Sequence, residues 1–343
     1  FSVSLQKKMP DYESPLSEYV LYSTTPCWMK LLELPFVFAA FISVLALATI
    51  LITKRPFHKN FIVVFMNLEL SYLINMTTRI ISIAMSFEAA SHFFILFATV
   101  EAMNNMSSYS VAFNMVTMVV ERVSAVLLVG SYEKFSAHFP YYGICLAVIQ
   151  WMICTSIVEG FYHKWLPPIP FCSILYACYA FALLVFCFLP KISARMCERR
   201  KRQLYVNGKH SLSERYQLAE NERTAKFLRP LVVLISLTTF IAISSFLAGL
   251  SFNPRTKYIF FSIYHLVIAI QAIMVTIVSL RNDSRFHAAF LRLFTCPNAV
   301  AQGNLHTKSI STIKPIGMSA DEERRLYFES YAKAWCREFI AVR

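Results

Sequence analysis

Apolar residues gather into seven long stretches, at about 31–53, 60–85, 93–120, 141–158, 171–189, 231–250 and 258–280, with short polar segments between them. Each stretch is long enough to cross a hydrocarbon core of roughly 30 Å as a helix. Hydrocarbon offers backbone N–H and C=O groups no partner, so runs of this length predict helices whose backbone bonds close within the segment. The third stretch is interrupted by mixed polar residues from Glu101 to Ser110. Two short spans folded at Asn104-Asn105 would move the whole following charge pattern to the wrong side, so the pattern predicts one long helix. At 1.5 Å per residue, Glu101 and Glu121 then stand about 30 Å apart along it.

Charge orients the spans. Of the 33 Lys and Arg, 26 fall in 54–59, 121–140, 190–229 and 281–343. Six (Lys7, Lys8, Lys30, Lys164, Arg255 and Lys257) fall in the alternating segments, and Arg79 lies inside a span. Basic residues are retained on the cytoplasmic side, which predicts an outside amino terminus and an inside carboxyl terminus. The expectation is an all-α membrane protein, a seven-transmembrane helix bundle, with an extracellular segment 1–30, a membrane domain 31–280 and a cytoplasmic tail 281–343. Phe286, Phe290 and Phe294 recur every four residues with Arg285 and Arg292 off that line. That spacing predicts a short amphipathic helix over about 283–295, lying on the inner leaflet. Ser211-Leu212-Ser213-Glu214 fits a capping box and predicts a helix start that runs on into the sixth span.

A hydrophobic content of 57% and a mean hydropathy of +0.50 exceed what one soluble core of 343 residues can hide. The net charge of +13 lies in the inner loops and tail, so its partner is expected to be the anionic inner leaflet and not nucleic acid. Residues 1–30 lack an apolar run, and the first span is expected to act as its own signal. The nine cysteines show no metal-ligand spacing, and no metal or cofactor is expected. Cys27 and Cys172 lie near the outer face and form a candidate disulfide. Cys296 follows the amphipathic stretch and reads as a palmitoylation site or a free cytosolic thiol.

Polar residues inside spans carry the candidate chemistry. Glu121-Arg122 ends the third span on the inner side, where acid and base neutralise each other. The arginine can then exchange its partner when helices move, or the pair is an ordinary interfacial ion pair. Glu101, Asn104, Asn105, Ser107, Ser108 and Tyr109 line the outer half of the same helix. They read as a ligand pocket or as helix-to-helix hydrogen bonding. Arg79 beside Asn75 needs an acidic partner, with Glu101 or Glu88 the nearest. Glu69 with Asn67 is a similar case, and His265 and Gln271 of the seventh span are either ligand contacts or satisfied core residues. The sequence has no Gly-rich phosphate loop, His-Glu-x-x-His, Gly-x-Ser-x-Gly or Cys-x-x-Cys, so no enzyme activity is expected.

Three blocks on the expected inner face carry a resemblance. Glu121-Arg122-Val123-Ser124-Ala125 followed by Tyr132-Glu133 resembles the motif after the third span of nematode chemosensory receptors. Ser211 to Asn221 resembles the block those receptors carry before the sixth span, and Pro56-Phe57-His58-Lys59-Asn60 is similar to their first inner turn. The group most resembled is the serpentine receptor class epsilon (Sre) within the Sra superfamily, with class beta (Srb) next. The resemblance implies a G-protein-coupled chemoreceptor in the plasma membrane of ciliated sensory neurons, with a small molecule and a heterotrimeric G protein as partners. It implies coupling or switching roles for Glu121, Arg122, Tyr132, Glu133, Arg215, Tyr216, Gln217, Glu220 and Asn221. The ligand pocket does not carry over from the resemblance. The alternative is a seven-span ion channel or transporter, but a transporter should show a repeat between halves and interrupted spans, and neither is present.

Overall fold

The computed structural model describes residues 27–54, 57–85, 94–128, 132, 139–207, 212–252 and 254–294. Among these the chain forms eight helices and no strand: α1 Cys27–Lys54, α2 Lys59–Met85, α3 Phe94–Leu127, α4 Tyr141–Tyr162, α5 Pro168–Asn207, α6 Leu212–Ser251, α7 Pro254–Asn282 and α8 Ser284–Phe294. The first seven are each long and apolar enough to cross a membrane. The third apolar stretch is one unbroken helix despite its polar middle. Residues Phe1–Leu293 form one compact unit and Phe294–Arg343 a second, of which only Phe294 is described.

Helix α3 sits at the centre, packed against α2, α4, α5 and α6, while α1 lies against α2 and α7. The reason is legible in its buried face. Asn104, Ser107, Val111, Met115, Met118 and Arg122 recur every three or four residues and are all at most 3% exposed. The polar residues of α2 and α3 point inward, and the large apolar residues of α4 point out: Val148, Ile149 and Met152 are each more than half exposed. An apolar outer surface around a partly polar interior is the arrangement that hydrocarbon demands.

Close helix contact depends on one glycine. A Cβ at Gly143 of α4 would stand 2.7 Å from the backbone oxygen of Asn60 in α2, so only glycine allows this approach. At the same end, Phe57, Phe227 and Phe286 meet with ring centroids 4.8–5.9 Å apart and tie the first turn, α6 and α8 together. Helices α5 and α6 are 40 residues each, about 60 Å at the standard rise, so both continue well past a hydrocarbon core. The basic run Arg199–Arg202 belongs to the continuation of α5.

Candidate functional site

At the end of the bundle that holds the first turn, Glu121 and Arg122 are 0% and 2% exposed. Both Nε and Nη2 of Arg122 donate to the two carboxylate oxygens of Glu121, its neighbour on the same helix. Tyr132, in the segment after α3, donates its hydroxyl to Glu121 as well. Burial and the Glu121 charge push the Tyr132 phenol up, so it remains a protonated donor. The Arg122 guanidinium lies 4.7 Å over the Phe61 ring. Its third nitrogen, Nη1, has no hydrogen-bond partner, and neither does Oε1 of Glu220 on α6.

Helix α6 is held to α3 beside this pair by Asn221, whose Nδ2 donates to the Ala125 carbonyl oxygen at 3.0 Å. Arg223 pairs with Asp283 at the α7–α8 junction at 2.6 Å. His58 packs its ring 5.0 Å from Tyr132. Burial, and after it the charge of Arg122, lower the His58 pKa to about 4, so the imidazole is neutral here.

Toward the other end, a cavity of about 40 Å³ opens between α3, α5, α6 and α7. Tyr109 and Ala112 of α3, Cys172 of α5, Thr239 and Ala242 of α6, and Gln271 of α7 are on its wall. Gln271 donates through Nε2 to Thr239 Oγ1 at 3.0 Å and to the Ile235 carbonyl oxygen at 3.2 Å, which joins α7 to α6. Tyr179 of α5 donates to the Ala112 carbonyl oxygen at 2.7 Å, and Tyr176 pairs with Ser244 of α6 at 2.9 Å.

The polar group on the outer half of α3 is mostly a helix-to-helix device. Asn75 Nδ2 of α2 reaches Ser108 Oγ at 2.7 Å and Asn104 Oδ1 at 3.1 Å. Further along, Gln150 of α4 donates to Ser110 Oγ at 2.8 Å and accepts from Thr117 at 2.7 Å, while Trp151 donates to Asn67 at 2.8 Å. Asn105 is only half-buried and stands outside this network. Asn67 is thus bonded, while Glu69 is 1% exposed with neither carboxylate oxygen in a hydrogen bond.

Arg79 corrects the sequence reading. Its bidentate partner is Glu33 of α1, which was not among the expected acids, because α1 packs along α2 and turns Glu33 inward. Of the candidate ligand residues, Tyr109 and Gln271 reach the cavity; Glu101, Asn104, Arg79 and His265 are buried without lining it. Sequence reasoning missed Glu33, Thr239 and Tyr179. The available signal for Glu33 was an acid at the third position of the first apolar run, opposite an unexplained Arg79. Cys172 carries a free thiol, so the bridge to Cys27 is not formed in this structure. Glu88, Glu133 and Cys296, and the side chains of Cys27, Arg215, Tyr216 and Gln217, lie outside the described residues. No cluster of three or more His, Cys, Asp or Glu able to hold a metal occurs among the described residues.

Seven apolar helices about a polar interior, with a buried cavity toward one end and an ion-paired arginine at the other, have the build of a multi-pass membrane receptor. The family model for Sre G protein-coupled chemoreceptors matches residues 85–336, and the chain belongs to that family. No curated protein matches the chain.

Proposed function

We propose that the protein binds a small molecule from the environment in the cavity between α3, α5, α6 and α7 and activates a heterotrimeric G protein at the end that carries Arg122. One observation carries this reading: the same two helices serve both places. Helix α3 supplies Tyr109 and Ala112 to the cavity and Glu121-Arg122 to the other end. Helix α6 supplies Thr239 and Ala242 to the cavity, and Asn221 and Glu220 to the other end. A ligand that favours one spacing of α3 and α6 therefore biases both ends at once; equal affinity for two spacings would signal nothing.

Pro230 lies within α6 between Asn221 and Thr239. Its missing N–H removes one bond from the helix ladder and supplies a point about which the Asn221 end can swing. In the swung state Arg122 gives up Glu121 for a G-protein segment. The charge distribution supports an Arg122 end in the cytosol and a cavity end outside, in the plasma membrane; sensory cilia are the location this role calls for. The test is Arg122→Ala in cells that report G-protein signalling to a chemical panel. Signalling should fall at least ten-fold with surface level unchanged. Undiminished signalling would remove Arg122 from the mechanism.

A further inference from the structure

The cavity wall restricts what it can hold. None of its lining residues is charged: they are aliphatic or aromatic, with Ser108, Tyr109, Cys172, Thr239, Tyr264 and Gln271 as the ones that carry a polar group. The two buried arginines are turned elsewhere, Arg79 onto Glu33 and Arg122 onto Glu121, and the buried carboxyl groups of Glu69 and Glu101 are not on the wall. An ionised guest would be stripped of water with no counter-charge on the wall, which strongly disfavours it. An aliphatic guest would fit but would leave the donor of Gln271 on Thr239.

The size is also limited. A cavity of about 40 Å³ holds roughly three water positions in a protein interior. Pockets for drug-sized ligands start at about 300 Å³. The guest therefore has only a few non-hydrogen atoms.

We infer that this cavity takes a small, uncharged, largely apolar organic molecule with a single hydrogen-bond acceptor oxygen, and that this oxygen takes the Gln271 amide from Thr239. The inference deepens the receptor reading and rests on it in treating the cavity as the ligand's seat. It also gives the ligand a mechanical consequence. The Gln271–Thr239 bond is one of two by which Gln271 joins α7 to α6. A ligand oxygen that replaces Thr239 Oγ1 satisfies Gln271 equally well and leaves the Ile235 carbonyl as the amide's remaining hold on α6. A hydrocarbon of the same size leaves the bond in place.

The experiment uses the full chain purified in lipid nanodiscs, with thermal unfolding followed in the presence of four probes of matched size: 2-pentanone, butanoate, pentylammonium and n-hexane. The ketone should raise the unfolding temperature dose-dependently, by about 3 °C at a hundred-fold excess over Kd, and the two ions should not. Ala242→Phe, which fills the cavity, should abolish the ketone's effect. Should that variant fail to fold, Gln271→Met keeps the volume and removes the donor. It should weaken the ketone about five-fold, to the level of hexane.

Stabilisation by either ion as large as by the ketone would overturn the inference. So would a ketone effect that survives both variants, or no effect of the ketone at all. The readout involves no G protein. Ketone binding at this cavity without any signalling in cells would sink the receptor reading and leave this one standing. Signalling evoked by ligands whose binding Ala242→Phe leaves untouched would do the reverse.

Discussion

Two arginines are buried among the described residues, each gripped by both oxygens of one carboxylate, and the two pairs serve opposite ends. Arg79 takes Glu33 from a different helix, 46 positions away. Arg122 takes Glu121 from the adjacent position of its own helix. Separating α1 from α2 would break the first pair, so that pair holds helices together. Helix separation alone does not break the second, because both partners ride on α3; it yields only to a competing partner. The first is a staple. The second stores a charge at no cost to helix separation; its Nη1 and Oε1 of Glu220 on α6 both lack a hydrogen bond, and the two residues attract each other electrostatically. One ion pair thus fixes the bundle, while the other is available for exchange.

The largest effect should come from breaking the staple. Arg79→Ala leaves Glu33, itself 2% exposed, without its guanidinium, a loss on the order of 3–5 kcal/mol. Surface abundance of that variant should collapse, as measured by flow cytometry on tagged cells. Replacing a buried pair by apolar residues of similar volume is often neutral, so Glu33→Leu with Arg79→Met should restore both abundance and signalling. The matching change at the other end, Glu121→Leu with Arg122→Met, should give normal abundance and a silent receptor. Equal behaviour of the two double variants would erase the distinction between staple and switch.

A smaller effect follows from the clamp beside the switch. Asn221 gives α6 one hydrogen bond to the α3 backbone at 3.0 Å. A bond of this kind is worth about 1 kcal/mol, roughly five-fold in an equilibrium between two helix arrangements. Asn221→Ala should therefore raise ligand-free signalling by up to about five-fold. Ligand-free signalling that falls instead would show that Asn221 supports the active arrangement.

The same contrast separates what was legible in the sequence from what was not. The seven helices were readable because a lipid-crossing segment is set by length and apolar content, which need no knowledge of neighbours. The Glu121-Arg122 pair was readable for a similar reason: its partners are adjacent in the chain. The Glu33 partner of Arg79 was missed because it depends on how α1 is rotated about its own axis. Helix α1 is apolar on every side, so no stripe in its sequence reveals that rotation. The cavity was half readable. Tyr109 and Gln271 stood out as polar residues in spans, whereas Thr239 did not, since a hydroxyl in a span commonly bonds its own helix, as Thr238 does to Leu234 at 2.8 Å.

The smallest effect is a pH dependence confined to the switch end. His58 packs against Tyr132, which in turn holds Glu121, and its imidazole is neutral in the folded protein with a pKa of about 4. The ordinary value for an unfolded chain is about 6.5. Between these values the unfolded state binds the extra proton and the folded state does not, so stability rises with pH across that window. The contribution is complete above about pH 6.5 and is lost as pH falls toward 4. Unfolding temperatures of the purified protein at pH 7.5 and pH 5 should differ more for the wild type than for His58→Phe, which keeps the ring contact and cannot titrate. Glu33→Leu with Arg79→Met does not touch His58 and should leave its contribution to the pH difference in place. A pH difference that disappears in that variant and persists in His58→Phe would place the titrating group at the wrong end of the bundle.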